Sequence, residues 1–329
     1  MPAAALPPGF RFNKVVAIIA FDRFEYFRQV IDALRQAWGA HEYVVTIWID
    51  GPPQNASSFD QEGWQSIVTY SHQLAWLARN ASLGFRDVVV NAAETNVGVW
   101  ANKKRSVAGA MELSDFAVIL EDDIVVERDA LRWFEWHVTS GLIFDRPDIA
   151  LATCWSTSFP YHHGAVEAHD LLMVQQLGLL DKYWLYSWAQ PWGWALWRRT
   201  WDALGAEWNG RDKKLGRQIQ ERSWVGTMPL VARCNNIGSM GFHKKGVAKG
   251  HVHRRAVTSG SFASLAHCTY AELPRRNVTG KVALEELYDF VRRGLGGNDV
   301  RYANASFEEH LLAASEFLRK QPAPWHSTC

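Results

Sequence analysis

Between residues 15 and 126 the chain alternates short apolar runs with longer stretches of helical periodicity, and few folds accept that alternation. Residues 15–20 form a continuous apolar run suited to a buried parallel strand. Phe24, Phe27, Ile31, Leu34 and Trp38 then recur at helical spacing until Gly39 stops them. A β-branched run over 43–49 ends in Asp50-Gly51-Pro52, which reads as a strand leaving into a turn. A helix is expected over 59–81, a strand over 87–92, a helix over 100–113 and a further strand from 116. Strands and helices in this order build a parallel sheet covered on both faces. The expected fold class is α/β, with a mostly parallel Rossmann-like sheet.

The last of these strands carries an unusual load. Glu121, Asp122 and Asp123 stand between the apolar runs 116–120 and 124–126. Ionised carboxylates in so apolar a setting are stabilised by a metal, by basic partners or by taking up protons, and hard ions such as Mg2+ or Mn2+ favour oxygen ligands. Ligands of parallel sheets bind beyond the carboxyl ends of the strands. Asp22-Arg23 after the first strand, Asp50 after the second and 121–123 after the fourth are therefore expected around one crevice. Asp22 and Asp50 serve equally well as helix caps or turn formers. Asn96-Val97-Gly98 precedes the helix that holds Lys103, Lys104 and Arg105, which offers a diphosphate a helix N-terminus and basic groups. A solvated basic helix face is the commoner meaning of such a triplet. Neither GxxxxGK[ST] nor GxGxxG follows a strand, so no P-loop or dinucleotide fingerprint is present.

A formal charge of +1 over 329 residues argues against a nucleic-acid partner met through a broad basic field. Seventeen Trp suit either a core or sugar stacking. Four Cys, with no CxxC, set no disulfide framework. No run of about 18 apolar residues spans a membrane, and the four Asn-x-Ser/Thr sequons at Asn55, Asn80, Asn277 and Asn304 matter only in a secretory lumen. A cytoplasmic protein is expected, with the lumen as the alternative if an anchor has been removed.

Beyond a short strand over 149–153 the pattern turns irregular through 156–181, where His162, His163 and His169 match no tight metal motif. An aromatic segment over 187–197 is bent by Pro191 and Gly193, a helix is expected over 198–208, and Asp212 falls in a polar, Gly-containing stretch before a second helix reaching Trp224. A strand over 230–234 leads to a Gly/Lys/His-rich loop, 241–253, of the kind that forms lids, with His251 and His253 as a conceivable ligand pair. Two C-terminal helices are expected over 282–293 and 307–320, the second opened by a capping box from Ser306 to Glu309.

The acidic triplet after an apolar strand, Asp22-Arg23, Asp50 and the Pro191-Trp192-Gly193-Trp194 segment together resemble the N-acetylglucosaminyltransferase I type of GT-A glycosyltransferase, over about 14–250. The resemblance implies a catalytic domain over 1–255, with a nucleotide-sugar half at 14–126 and an acceptor half at 127–255, and a helical extension over 256–329. It implies that Asp123 ligates a Mn2+ or Mg2+ ion bridging the donor diphosphate, with Glu121 and Asp122 near the ribose and donor sugar. It further implies that Arg23 and Asp50 contact the nucleotide, and that Trp192 and Gly193 shape the sugar pocket. Asp212, seventeen residues before Pro229, matches the family's catalytic carboxylate by spacing. One departure is plain: the family's Lys-Gly-Val-Ser-His-Gly loop is Lys-Gly-Val-Ala-Lys-Gly over 245–250, without the hydroxyl and the imidazole.

The implied reaction is an inverting, metal-dependent transfer of a sugar, GlcNAc first among candidates, from a UDP-sugar to a hydroxyl of a glycan or glycoconjugate. Two other classes compete. A metal-dependent nucleotidyl or phosphoryl transferase uses paired carboxylates in the same way. A non-catalytic, Trp-rich carbohydrate-binding protein leaves the acidic triplet unexplained.

Overall fold

The computed structural model describes residues 5–54, 59–80, 84–156, 181–229, 231–238 and 271–272. Its first half follows the expected alternation: β1 (Val15–Ala20), α1 (Phe24–Gln36), β2 (Val44–Ile49), α2 (Gln61–Arg79), β3 (Asp87–Ala92), α3 (Val99–Leu113) and β4 (Phe116–Glu121). The strands β4, β1, β2 and β3 lie side by side and parallel, with Val15 opposite both Val44 and Ala117. Every residue of β1 is buried because the sheet is covered twice. Val16, Ile18 and Ala20 face the core beneath α1 and α2, whereas Val15, Ala17 and Ile19 face Val107, Ala110 and Met111 of α3. The molecule is thus α/β, with a large, mostly parallel sheet and helices on both faces.

The second half extends that sheet by strands that run both ways. After the short β5 (Ile124–Val126), α4 (Ala130–Thr139) and α5 (Leu142–Asp145) come β6 (Ile149–Thr153), β7 (Lys182–Tyr186) and β8 (Trp194–Trp197). Helices α6 (Arg198–Leu204) and α7 (Asp212–Glu221) precede β9 (Val225–Pro229), β10 (Cys234–Asn236) and β11 (Ala271–Glu272). The nine-stranded order is β11-β7-β9-β6-β8-β4-β1-β2-β3. Strand β8 is antiparallel to both β4 and β6, and β7 is antiparallel to β9. Strands β5 and β10 form a separate antiparallel pair.

Several expectations are corrected here. The aromatic segment over 187–197 ends in a central strand, β8, all four residues of which are buried. Burial on both faces erases the polar alternation by which a strand is read. β9, Val-Gly-Thr-Met-Pro, holds both a Gly and a Pro, residues that mark loops. The strand expected over 230–234 begins only at Cys234, and the helix expected over 198–208 closes at Leu204. Asp212 opens α7 rather than lying in a coil. His162, His163, His169, the 241–253 loop with His251 and His253, and both C-terminal helices lie outside the described residues. Two residues from within 256–329, those of β11, pair in parallel with β7. Among the described residues no helix is long and apolar enough to cross a membrane.

Candidate functional site

Strand β4 delivers its acids to the carboxyl edge of the sheet. Phe116 to Leu120 are buried, Glu121 ends the strand, and Asp122-Asp123 turn the chain into β5. The turn is fixed from the other side: the Ile237 amide donates to the Asp123 carbonyl at 2.8 Å, next to the β5–β10 pairing. Gly238 lies so close that a Cβ there would sit 1.9 Å from Asp123 Oδ2. Asp122 and Asp123 are consequently both buried.

Two basic groups meet these acids. Arg23, in the loop after β1, donates Nη1 to Asp123 Oδ2 at 2.9 Å and Nη2 to Asp122 Oδ1. Lys103, on α3, is 2% exposed, with Nζ 2.5 Å from Glu121 Oε1 and 2.9 Å from Asp212 Oδ1. Asp212 is held beside α3 by close backbone packing. Gly210, at φ +87°, approaches Trp100 so nearly that a Cβ would lie 1.9 Å from its carbonyl oxygen. Trp208 Nε1 donates to the Arg211 carbonyl at 2.9 Å. The chain thus brings Asp212 to an acid cluster some ninety residues earlier in sequence, using Lys103 as the bridge.

Burial pushes the Asp122 carboxyl up to about 7; Arg23 pulls it down and Asp123 pushes it further up. Burial also raises the Asp212 carboxyl, against the pull of Lys103. For Lys103 burial acts downward, but Glu121 and Asp212 together outweigh it and hold the ammonium charged. Arg23 follows the same logic beside Asp122 and Asp123, and its pKa rises.

The remaining residues divide. Asp50 lines the crevice, and its carboxylate serves the loop before α3. Oδ1 accepts from the Gly51 and Val97 amides at 2.8 Å, while Oδ2 accepts from the Gly98 amide at 3.0 Å and from Asn96 Nδ2 at 3.2 Å. Asp22 Oδ2 accepts from the Asp60 amide at 3.3 Å. Gly193 packs against Cys154 and Ile124, and neither it nor Trp192 is among the residues that line the crevice. The Trp192 ring meets Trp155 edge-on at 4.9 Å, its carbonyl accepts from the buried thiols of Cys154 and Cys234, and the Gly193 carbonyl accepts from the Cys154 amide. Sequence reasoning treated Lys103, Lys104 and Arg105 as one basic face, and the structure separates them. Lys104 donates to the Ala206 carbonyl and Arg105 to the Ile49 and Asn91 carbonyls, so of the three only Lys103 forms ion pairs with carboxylates among the described residues. No local signal distinguishes three adjacent cations whose distinguishing partners lie far away in sequence.

Together Asp22, Asp50, Glu121, Asp122 and Asp123, with Arg23 and Lys103, line a crevice of about 500 Å³ walled by Ile19, Phe21, Pro53, Val99 and Trp100. Its donors are carboxylate oxygens, the chemistry that Mg2+ and Mn2+ prefer. Among the described residues no three His, Cys, Asp or Glu side chains are arranged to hold an ion by themselves. An ion here would need further oxygens from a bound ligand, and it would have to share Asp122 and Asp123 with Arg23.

No protein-family model matches the sequence, and no curated protein matches it. Solved structures similar to the chain are glycosyltransferases at low identity. One is the mannosyltransferase PcManGT from Pyrobaculum calidifontis in complex with GDP-Man and Mn2+, 13% identical at a TM-score of 0.43, covering 74% of this chain and 62% of that one. A second is S. aureus TarS, 11% identical at a TM-score of 0.39, covering 67% and 35%. A third is the galactosyltransferase LgtC in complex with donor and acceptor sugar analogs, 13% identical at a TM-score of 0.34, covering 65% and 72%. The chain thus spans less than two thirds of the first two. At these identities and TM-scores the likenesses decide neither fold nor activity.

Proposed function

We propose that the chain is a metal-dependent, inverting glycosyltransferase that moves a sugar, GlcNAc first among candidates, from a UDP-sugar to a hydroxyl of a glycan. The reading is carried by one observation: Glu121, Asp122 and Asp123 line, with Arg23 and Lys103, a crevice at the carboxyl ends of β1 and β4, and Lys103 ties Asp212 to that cluster. UDP and GlcNAc rest on the sequence resemblance carried by the acidic triplet, Arg23, Asp50 and the 191–194 segment. Charge supports the ion. Five carboxylates against two cations line the crevice, so a nucleoside diphosphate entering alone meets net repulsion. Asp123 would hold the divalent ion, which when bound would neutralise the departing diphosphate, worth several kcal/mol in the transition state.

The chain's own groups do the rest. The acceptor hydroxyl oxygen attacks the anomeric carbon, the bond from that carbon to the diphosphate breaks, and the hydroxyl proton passes to the Asp212 carboxylate. One carboxylate acting as base implies a single displacement and inversion. Arg23 spans both aspartates here, and a diphosphate offers its guanidinium equivalent anionic acceptors. Ile19, Phe21, Val99 and Trp100 keep water from one wall.

The test is Asp212→Asn with product analysis. Transfer should fall by about 10²-fold or more while UDP still binds, and wild-type product should be free UDP plus an inverted glycoside. Turnover that survives in Asp212→Asn moves the base elsewhere. A nucleotidylated or phosphorylated product assigns the crevice to the competing transferase chemistry instead.

A further inference from the structure

Lys103 is an expensive residue. A lysine on a helix beside a crevice normally extends its ammonium into water, yet this one is 2% exposed and ends between two carboxylates from different elements. Burying an ammonium is unfavourable unless partners are placed around it, and apolar packing would join α3 to α7 as well as an ion pair does. Its neighbours show the cheaper arrangement: Lys104 and Arg105 tie their helix to backbone carbonyls of other elements. Lys103 instead joins the end of β4 to the start of α7 at the rim of the crevice.

The geometry of Asp212 gives the bridge a direction. Lys103 Nζ takes Oδ1 at 2.9 Å, and among the described residues Oδ2 makes no hydrogen bond. The side chain as a whole is 29% exposed. Glu121 fixes the ammonium from the other side at 2.5 Å. The arrangement repeats the logic of a base oriented by a third group. We infer that Lys103 is a positioning residue for the transfer: braced on Glu121, it holds one oxygen of Asp212 and leaves the other to receive the acceptor's proton. The inference rests on the glycosyltransferase reading above and adds a residue that the sequence resemblance does not assign.

The experiment compares wild type, Lys103→Met, Asp212→Asn and the double variant. It follows Mn2+-dependent release of UDP or GDP from a panel of UDP-GlcNAc, UDP-Glc, UDP-Gal and GDP-Man, with water as acceptor, and uses the donor that wild type turns over fastest. Lys103→Met should lower kcat about 100-fold and change the donor KM less than about threefold, because the lost function belongs to proton transfer. The double variant should be no slower than Asp212→Asn alone, since the two side chains act as one unit. A merely structural tie predicts a lower Tm with kcat kept, or losses that multiply in the double variant, and either result overturns the inference while the glycosyltransferase reading stands. If wild type releases no diphosphate from any donor, both fall. Should Lys103→Met fail to fold, Lys103→Arg enters the same comparison. Arg keeps the charge on a longer, planar head, so kcat should drop about tenfold with KM kept, and wild-type kcat in that variant overturns the placement of Asp212 by Lys103.

Discussion

Single residues set the acidic turn. A methyl group at Gly238 would overlap Asp123 Oδ2, so Gly238→Ala must displace either the turn or the segment that covers it. Under the proposed function this weakens Mn2+-dependent UDP binding by about tenfold, or ~1.4 kcal/mol, as isothermal calorimetry would read it; unchanged affinity would place the ion away from Asp123. Asp50 makes a different prediction. Its carboxylate accepts from three backbone amides around the loop before α3, among them that of Gly98, which stands at φ +86°. Asp50→Ala should cost the ligand-free protein about 1–2 kcal/mol in urea unfolding, because a buried carboxylate's bonds are lost while water can still reach the exposed Val97 amide. A variant as stable as wild type that loses only UDP affinity would make Asp50 a nucleotide contact instead. From sequence, Arg23, Asp50 and 121–123 could be placed around one crevice, since strand ends are legible. What each carboxylate holds was not legible, because Asp50's partners are amides and Arg23's role depends on a turn that only the β5–β10 pairing fixes.

At the level of elements, α4 and β9 are joined by a buried imidazole. His137 Nδ1 lies 2.9 Å from the Trp133 carbonyl and therefore donates to it, which leaves Nε2 to accept from Thr227 Oγ1 at 2.7 Å. Burial pulls the His137 pKa down to about 4, against the backbone groups that favour the cation. The sign follows. The unfolded chain takes up a proton near pH 6.5 while the fold resists until about pH 4, so stability present above 6.5 is lost as the pH falls through that window. Urea unfolding should show a loss of about 2 kcal/mol from this group between pH 7 and pH 5. The pH dependence should be smaller by that amount in His137→Gln, and an unchanged slope would contradict the buried neutral ring.

The elements that the sequence discloses and those that it hides differ in physical setting. β1, β3 and β6 match their expected spans, because short apolar runs bounded by turn residues are what a doubly covered parallel strand needs. β7, β8 and β9 escape for separate reasons. β8 is read through its Trp content, β9 through its Gly and Pro, and β7 follows an irregular stretch with no turn signal to open it. Asp212 is singled out by the resemblance, through its spacing from Pro229. Its contact with Lys103 needed α7, the close approach of Gly210 to Trp100 and the buried lysine stem, none of which periodicity reveals.

Over the whole molecule, a near-neutral chain carries a local excess of negative charge at one crevice. The formal net charge is +1, yet five carboxylates and two cations line a single crevice at the sheet's carboxyl edge. That imbalance suits a cation and an anionic ligand arriving together, and neither is well served alone. Ligand binding to the folded form stabilises it by about 2.7 kcal/mol at a hundredfold excess over Kd, so Mn2+ with UDP should raise Tm where each alone raises it little. The most direct measurement is UDP affinity by calorimetry with Mn2+ and with EDTA, on wild type and Asp123→Ala. The account predicts Mn2+-dependent binding in wild type, lost by about tenfold or more in EDTA and in Asp123→Ala. UDP that binds equally well in EDTA, or Mn2+ dependence that survives without Asp123, would contradict it.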